Sequence, residues 1–209
     1  MLEIENFKKS YGSHLVLEIV DAQFAPGIYW LKGKNGSGKS SLLRCIAGAA
    51  SHRGNIRLRG ISLRENPMAY RRQVNFAEAE PMYPEFLTGS ELVAMFEQAK
   101  GNGSFPSSRL LAEMEMEGYI ESPIGSYSSG MLKKLSLVLA FLGDPKWILL
   151  DEPLNTLDLN SLNTLYEWIS RSTDENGTGF LLSSHQQLDF GLLESTVQLA
   201  IENKELIIK

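Results

Sequence analysis

Cysteine is nearly missing from this chain. Cys45 is alone among 209 residues, so no intrachain disulfide can form, and this usage fits a reducing compartment. Long apolar runs are missing too. The longest, around Leu135 to Leu142, falls well short of the roughly 20 residues that cross a bilayer. There is no excess of positive charge: 20 Lys and Arg against 25 Asp and Glu leave a net charge of −5, which argues against broad electrostatic binding to nucleic acid. The small basic sets, Arg71-Arg72 and Arg57, Arg59 and Arg64, read as solvated surface. Met1 to Asn6 lacks the basic and then apolar regions of a signal peptide. Internal repeats and low-complexity segments are absent. What remains, 43% hydrophobic and 22% charged, is the composition of a soluble globular protein. The length suits one large α/β domain, or one core with a small inserted subdomain. If such a chain works at a membrane, another chain must span it.

Residues 1–32 alternate apolar and polar positions around turns at Tyr11-Gly12-Ser13 and Pro26-Gly27, the pattern of antiparallel strands. Gly54 to Gly60 alternates as well, and Val74 to Ala77 reads as a short strand. Thr88-Gly89-Ser90-Glu91 resembles a capping box, followed by Leu92, Met95 and Phe96 at helical spacing as expected core residues. A second helix is expected over Ser108 to Glu117, and a strong one over Leu132 to Leu142. Trp147 to Leu150 and Phe180 to Ser183 read as buried strands on either side of a helix over Leu159 to Ser172. Two strands close the chain. Strands alternating with helices imply a mostly parallel sheet with helices on both faces. Cys45 is expected to be a small buried hydrophobe, and His14 and His52 to be surface residues.

Two motifs carry chemistry. Gly33-Lys34-Asn35-Gly36-Ser37-Gly38-Lys39-Ser40 fits the phosphate-loop pattern, with a strand at Ile28 to Leu31 before it and a helix from Ser40-Ser41 after it. Glycines let backbone N–H groups turn around phosphate oxygens, and the helix N-terminus adds partial positive charge. Lys39 reaches the β- and γ-phosphates, and the Ser40 hydroxyl can hold Mg²⁺. The second motif is Asp151-Glu152-Pro153 at the end of an apolar strand. Asp151 is placed to hold Mg²⁺, and Glu152 to polarise an attacking water.

Between these lies Tyr127-Ser128-Ser129-Gly130-Met131. It resembles the signature motif of the ATP-binding cassette (ABC) family, usually Leu-Ser-Gly-Gly-Gln, at the family's distance before Asp151-Glu152. Leu157-Asp158 matches the family's D-loop, and Ser184-His185 its switch histidine. Tyr11 sits where the family stacks an aromatic ring on adenine. Ordered matches from Tyr11 to His185 cover nearly the whole chain. The pattern departs from the family in two places. Ser129 and Met131 replace the first glycine and the glutamine of the signature, a Tyr-Ser-x-Gly-Met form similar to exporter-type members. In Val74 to Pro81, Ala79 falls where the Q-loop glutamine belongs, with Glu78 and Glu80 as candidate substitutes.

The resemblance implies a single ABC ATPase domain over residues 1–209. Its fold class is α/β: a P-loop NTPase core with a mostly parallel sheet, an N-terminal antiparallel β-subdomain, and an α-helical subdomain inserted at about 82–140. It implies an ATPase using ATP and Mg²⁺. Glu152, His185 and Lys39 would be catalytic, Ser40 and Asp151 the metal ligands. The loop from Gly33 to Ser41 and Tyr11 would bind ATP, with Ser128, Ser129 and Gly130 of a second cassette touching it across a dimer. The expected partners are a separate transmembrane permease and a second cassette, identical or related; nucleic acid is not expected. The expected place is the cytoplasmic face of the cell membrane, and the expected direction is export. The rival readings are a soluble ABC ATPase acting on the ribosome or DNA, and a nucleotide-binding regulator with weak hydrolysis.

Overall fold

Strands β1 (Leu2–Tyr11) and β2 (His14–Phe24) form the predicted antiparallel hairpin, with Tyr11 paired to His14 across the turn. The computed structural model of the protein describes residues 1–101, 103–184 and 196–209. Alternation along β1 buries Leu2 and Ile4, then changes phase and buries Phe7 and Lys9. The change falls at Asn6, which adopts φ 49° and bulges β1 against β4 (Arg53–Leu58). Gly54 lies opposite with φ 90°, and a side chain there would strike the Asn6 carbonyl. With β5 (Ile61–Ser62) these strands make a four-stranded sheet in the order β2-β1-β4-β5.

The second sheet has six strands in the order β10-β9-β3-β8-β7-β6. These are β3 (Ile28–Lys32), β6 (Val74–Ala77), β7 (Trp147–Asp151), β8 (Gly179–Ser183), β9 (Val197–Glu202) and β10 (Glu205–Ile208). All neighbours run parallel except the β9–β10 hairpin. Helices cover both faces, so alternate strand residues enter two different cores. On one face, Trp30, Ile148, Leu150, Phe180 and Leu182 meet the helical side of the molecule. On the other, Leu31, Leu149 and Leu181 meet α1 (Lys39–Ile46) and the four-stranded sheet. Cys45 is wholly buried there, and burial pushes its thiol up to about 11.

Between β6 and β7 the chain forms α3 (Gly89–Lys100), α4 (Ser107–Glu113) and α5 (Ser129–Phe141); α2 (Pro67–Gln73) precedes β6 and α6 (Leu159–Asn176) follows β7. The Thr88 capping box is present. The Thr88 hydroxyl accepts from Glu91 N–H at 3.2 Å, and Thr88 N–H donates to Glu91 Oε2 at 2.8 Å. Four expectations change. Met95 is 55% exposed, since α3 buries only Gly89, Leu92 and Val93 fully, while Phe96 packs partly buried. Helix α4 stops at Glu113, and Glu115 takes φ 57°, so Met114 and Met116 leave the helix and both reach the core. Helix α6 runs one turn beyond Ser172, to Asn176, and closes on Gly177 in the left-handed conformation. His52 is half-buried and stacked on Phe7, with ring centroids 5.4 Å apart.

Thr88→Ala removes one half of the capping box and leaves the α3 N-terminus short of an acceptor. Stability should fall by about 1 kcal/mol, read as a lower denaturation midpoint at unchanged slope in urea.

Candidate functional site

Strand β3 ends at Lys32 and α1 begins at Lys39, so six residues must reverse the chain between them. Gly36 at φ 75° and Gly38 at φ 106° supply left-handed conformations that side chains resist. The close approach of Gly38 adds a second reason: a Cβ there would stand 2.8 Å from Val16 Cγ1. Lys39 is buried and folds back over the loop, donating from Nζ to the Gly33 carbonyl at 2.8 Å and the Lys34 carbonyl at 3.3 Å. Burial lowers its pKa, opposed by the Glu152 and Asp151 carboxylates, which raise it.

Those carboxylates arrive on β7. Parallel pairing sets Asp151 directly against Ser183 at the end of β8. Ser183 Oγ donates to Asp151 Oδ1 at 2.5 Å. The Glu152 N–H donates to the Ser183 carbonyl at 3.0 Å and to Ser183 Oγ at 3.2 Å. Glu152 itself is buried and held at φ 45°, a left-handed conformation unusual for a residue with a side chain. Sequence reasoning missed Ser183. Its signal is position: it ends the strand that must neighbour β7.

One cavity of about 610 Å³ collects most of the expected residues. The loop from Asn35 to Ser41 lines it, with Glu152 and Asn155 from the β7 end, Tyr11, His14 and Val16 from the β1–β2 hairpin, and Ala79 and Glu80 after β6. The Tyr11 ring is half-exposed beside the loop, its hydroxyl 3.3 Å from Ser41 Oγ. Gly33 and Lys34 face an adjoining cavity of about 620 Å³ that shares His14, Val16 and Asn35 to Ser37 with the first and is bounded by the β9–β10 turn. Ser40 and Asp151 offer a hydroxyl and a carboxylate, hard oxygen donors of the kind Mg²⁺ takes. Among the described residues no group of three or more His, Cys, Asp or Glu could hold a metal alone. A hydroxyl and a carboxylate suit an ion that takes one or two protein ligands and completes its shell with phosphate oxygens and water; of the two, Ser40 lines the cavity, while Asp151 is buried behind it.

Glu78 and Glu80, the two candidates beside Ala79, separate clearly. Glu78 pairs with Arg44 on α1 at 3.3 Å, while Glu80 lines the cavity. A second residue missed by sequence reasoning lies beneath them. Lys133 on α5 is 2% exposed and donates to the carbonyls of Glu78, Ala79 and Asp151. Burial pushes its ammonium down to about 8, against the opposing pull of Asp151, Glu152 and Glu80. Its signal in the sequence is helical spacing: of the adjacent Lys133 and Lys134, Lys133 lies four residues before the buried Leu137.

The signature residues stand apart from this cavity. Ser128 is the N-cap of α5, its hydroxyl accepting from Met131 N–H at 3.2 Å. Ser128 and Ser129 are exposed, and neither they nor Gly130 line the cavity of their own chain. Ser129 avoids positive φ, so serine sits there without strain. Tyr127 anchors the helix start, its buried hydroxyl donating to the Tyr119 carbonyl at 3.0 Å. Asp158 caps α6: the Ser161 N–H, 2.9 Å away, pulls its carboxyl down to about 2, and Lys134 of α5 pairs with it at 3.1 Å. His185 lies outside the described residues.

Residues 17–155 match the family model described as ABC transporter. The bacitracin transport ATP-binding protein BcrA of Enterococcus faecalis is 30% identical over 88% of this chain, which spans 61% of that relative's length. The ABC-type transporter ATP-binding protein EcsA of Bacillus subtilis (strain 168) is 31% identical over 88% of this chain and 77% of its own. A solved structure of the ATP binding subunit of an ABC transporter superposes with a TM-score of 0.87 at 29% identity, covering 99% of this chain and 88% of that one.

Lys39→Ala removes a cation that bridges the phosphate loop. ATP affinity measured calorimetrically should fall by about 10- to 100-fold, the range for losing a charge-assisted hydrogen bond. Affinity equal to wild type would remove Lys39 from the site.

Proposed function

The chain belongs to the ABC transporter family and is an ATPase of that family; from this premise we propose that it is the ATP-hydrolysing subunit of a transporter. It works as a head-to-tail pair of cassettes docked on a separate membrane subunit. One observation carries this reading. One cavity gathers the loop from Asn35 to Ser41, Tyr11 and Glu152, while Ser128, Ser129 and Gly130 of the same chain lie outside it. A second cassette is needed to bring the capped N-terminus of α5 against the phosphates.

ATP lies along the loop, its adenine on Tyr11 and its triphosphate under Lys39. Ser40 and Asp151 would hold Mg²⁺, which would supply charge neutralisation to the phosphates. Ser183 donates to one oxygen of Asp151 and so orients the carboxylate. Glu152 takes a proton from water as the water oxygen bonds to the γ-phosphorus. The bond from that phosphorus to the β-phosphate oxygen breaks, and ADP and phosphate leave.

The membrane subunit docks where Met82 and Phe86 stand 92% and 81% exposed, next to the Ala79–Glu80 segment. On this reading the chain works on the cytoplasmic face of the membrane. Among the described residues no helix is long and apolar enough to cross it. Export is the direction we retain, from the likeness of the Tyr-Ser-x-Gly-Met signature to exporter-type cassettes.

Two outcomes test this reading. Glu152→Gln should still bind ATP but release phosphate about 10²-fold more slowly or worse, and should accumulate as a dimer with Mg²⁺-ATP on size exclusion. Near wild-type turnover in that variant ends the assignment. Glu80, holding a water in place of the missing glutamine, should ease the Mg²⁺ requirement. Ala79→Gln should then lower half-saturating Mg²⁺ about two- to tenfold, roughly 0.4 to 1.4 kcal/mol, and Glu80→Ala should raise it. Coincident titration curves for all three proteins would exclude this segment from the metal shell.

A further inference from the structure

Lys133 is the most deeply buried charge in α5, and the mechanism above does not use it. Its ammonium has three protons and three acceptors: the Glu78 carbonyl at 3.0 Å, the Ala79 carbonyl at 2.9 Å and the Asp151 carbonyl at 3.3 Å. None of these lies near it in sequence, the separations being 55, 54 and 18 residues. Two belong to the segment after β6 that lines the nucleotide cavity through Ala79 and Glu80. The third precedes Glu152. Lys133 itself stands about one turn inside the α5 N-terminus, after Ser128, Ser129 and Gly130.

A lysine held at 2% exposure is a costly way to fill space. Methionine would occupy the same slot without desolvating a charge. What the ammonium adds is a rigid three-way tie, because main-chain carbonyls cannot swing away as side chains do. We propose that Lys133 is a positioning residue for hydrolysis, locking the Ala79–Glu80 segment and the Asp151–Glu152 turn to the helix that faces the second cassette. Displacement of α5 on dimer closure then moves both segments together, and Glu152 reaches the attacking water only in the closed pair. The inference rests on the ATPase reading above. It does not involve ATP contacts, since Lys133 is absent from the residues that line the cavity.

Lys133→Met keeps the unbranched stem and removes every donor; Lys133→Gln keeps two. For each variant three quantities are measured: calorimetric ATP affinity, kcat with KM for phosphate release, and amide hydrogen exchange over residues 78–81, 151–153 and 35–40. In Lys133→Met, ATP affinity should stay within threefold of wild type while kcat falls at least tenfold. Exchange should accelerate in 78–81 and 151–153 together, with 35–40 unchanged. Lys133→Gln should lie between Lys133→Met and wild type in both kcat and exchange. A folded Lys133→Met protein with kcat within twofold of wild type overturns the proposal, as does a loss of ATP affinity equal to the loss of kcat. Should Lys133→Met not fold, Lys133→Gln decides: a two- to fivefold lower kcat at unchanged affinity supports the tie, and an unchanged kcat overturns it. Exchange needs no turnover. Unchanged exchange in 78–81 and 151–153 rejects the tie even if the chain hydrolyses nothing, whereas a wild type without phosphate release rejects only the ATPase reading.

Discussion

The site depends on the parallel register of β3, β8 and β7. Pairing sets Leu31 against Ser183 and Ser183 against Asp151, so three strands end at one edge of the sheet. The phosphate loop leaves from the first, and both carboxylates from the last. Ser183 between them hydrogen-bonds Asp151 and holds the Glu152 backbone. A slip of one residue would send every strand side chain to the wrong face. That slip is resisted from both sides, because alternate residues of β7 and β8 are committed to two separate cores.

Onto this rigid edge the helical part of the molecule is tied at few polar points. Lys133 joins α5 to the segments after β6 and β7. Lys100, at the end of α3, donates to the carbonyls of Arg71 and Val74, and burial pushes its ammonium down to about 8. Glu113 on α4 accepts from Trp168 on α6 at 2.5 Å and pairs with Arg171 at 3.4 Å. These ties fix the start of α5, and with it Ser128 to Gly130, relative to the sheet edge.

The sequence disclosed the phosphate loop, the strand-end carboxylates and most elements, because each rests on local rules: glycine at left-handed positions, apolar alternation, a capping pair. It disclosed less where a residue's role depends on what folding brings beside it. Ser183 reads as one more serine until β8 lies next to β7. Lys133 reads as a charge on a helix until three distant carbonyls converge on it. Met114 and Met116, two apart, exclude each other only on a continuous helix; Glu115 at φ 57° breaks it and both reach the core. Glu78 and Glu80 are equivalent on paper, and the Arg44 pair distinguishes them.

The central claim is that ATP is cleaved in a site one chain cannot complete alone. The most direct measurement is phosphate release per chain, with saturating Mg²⁺-ATP, across a range of chain concentrations. The account predicts a rate per chain that rises with concentration and levels off as pairs form. A rate per chain that is constant down to concentrations where light scattering finds only monomers would contradict it.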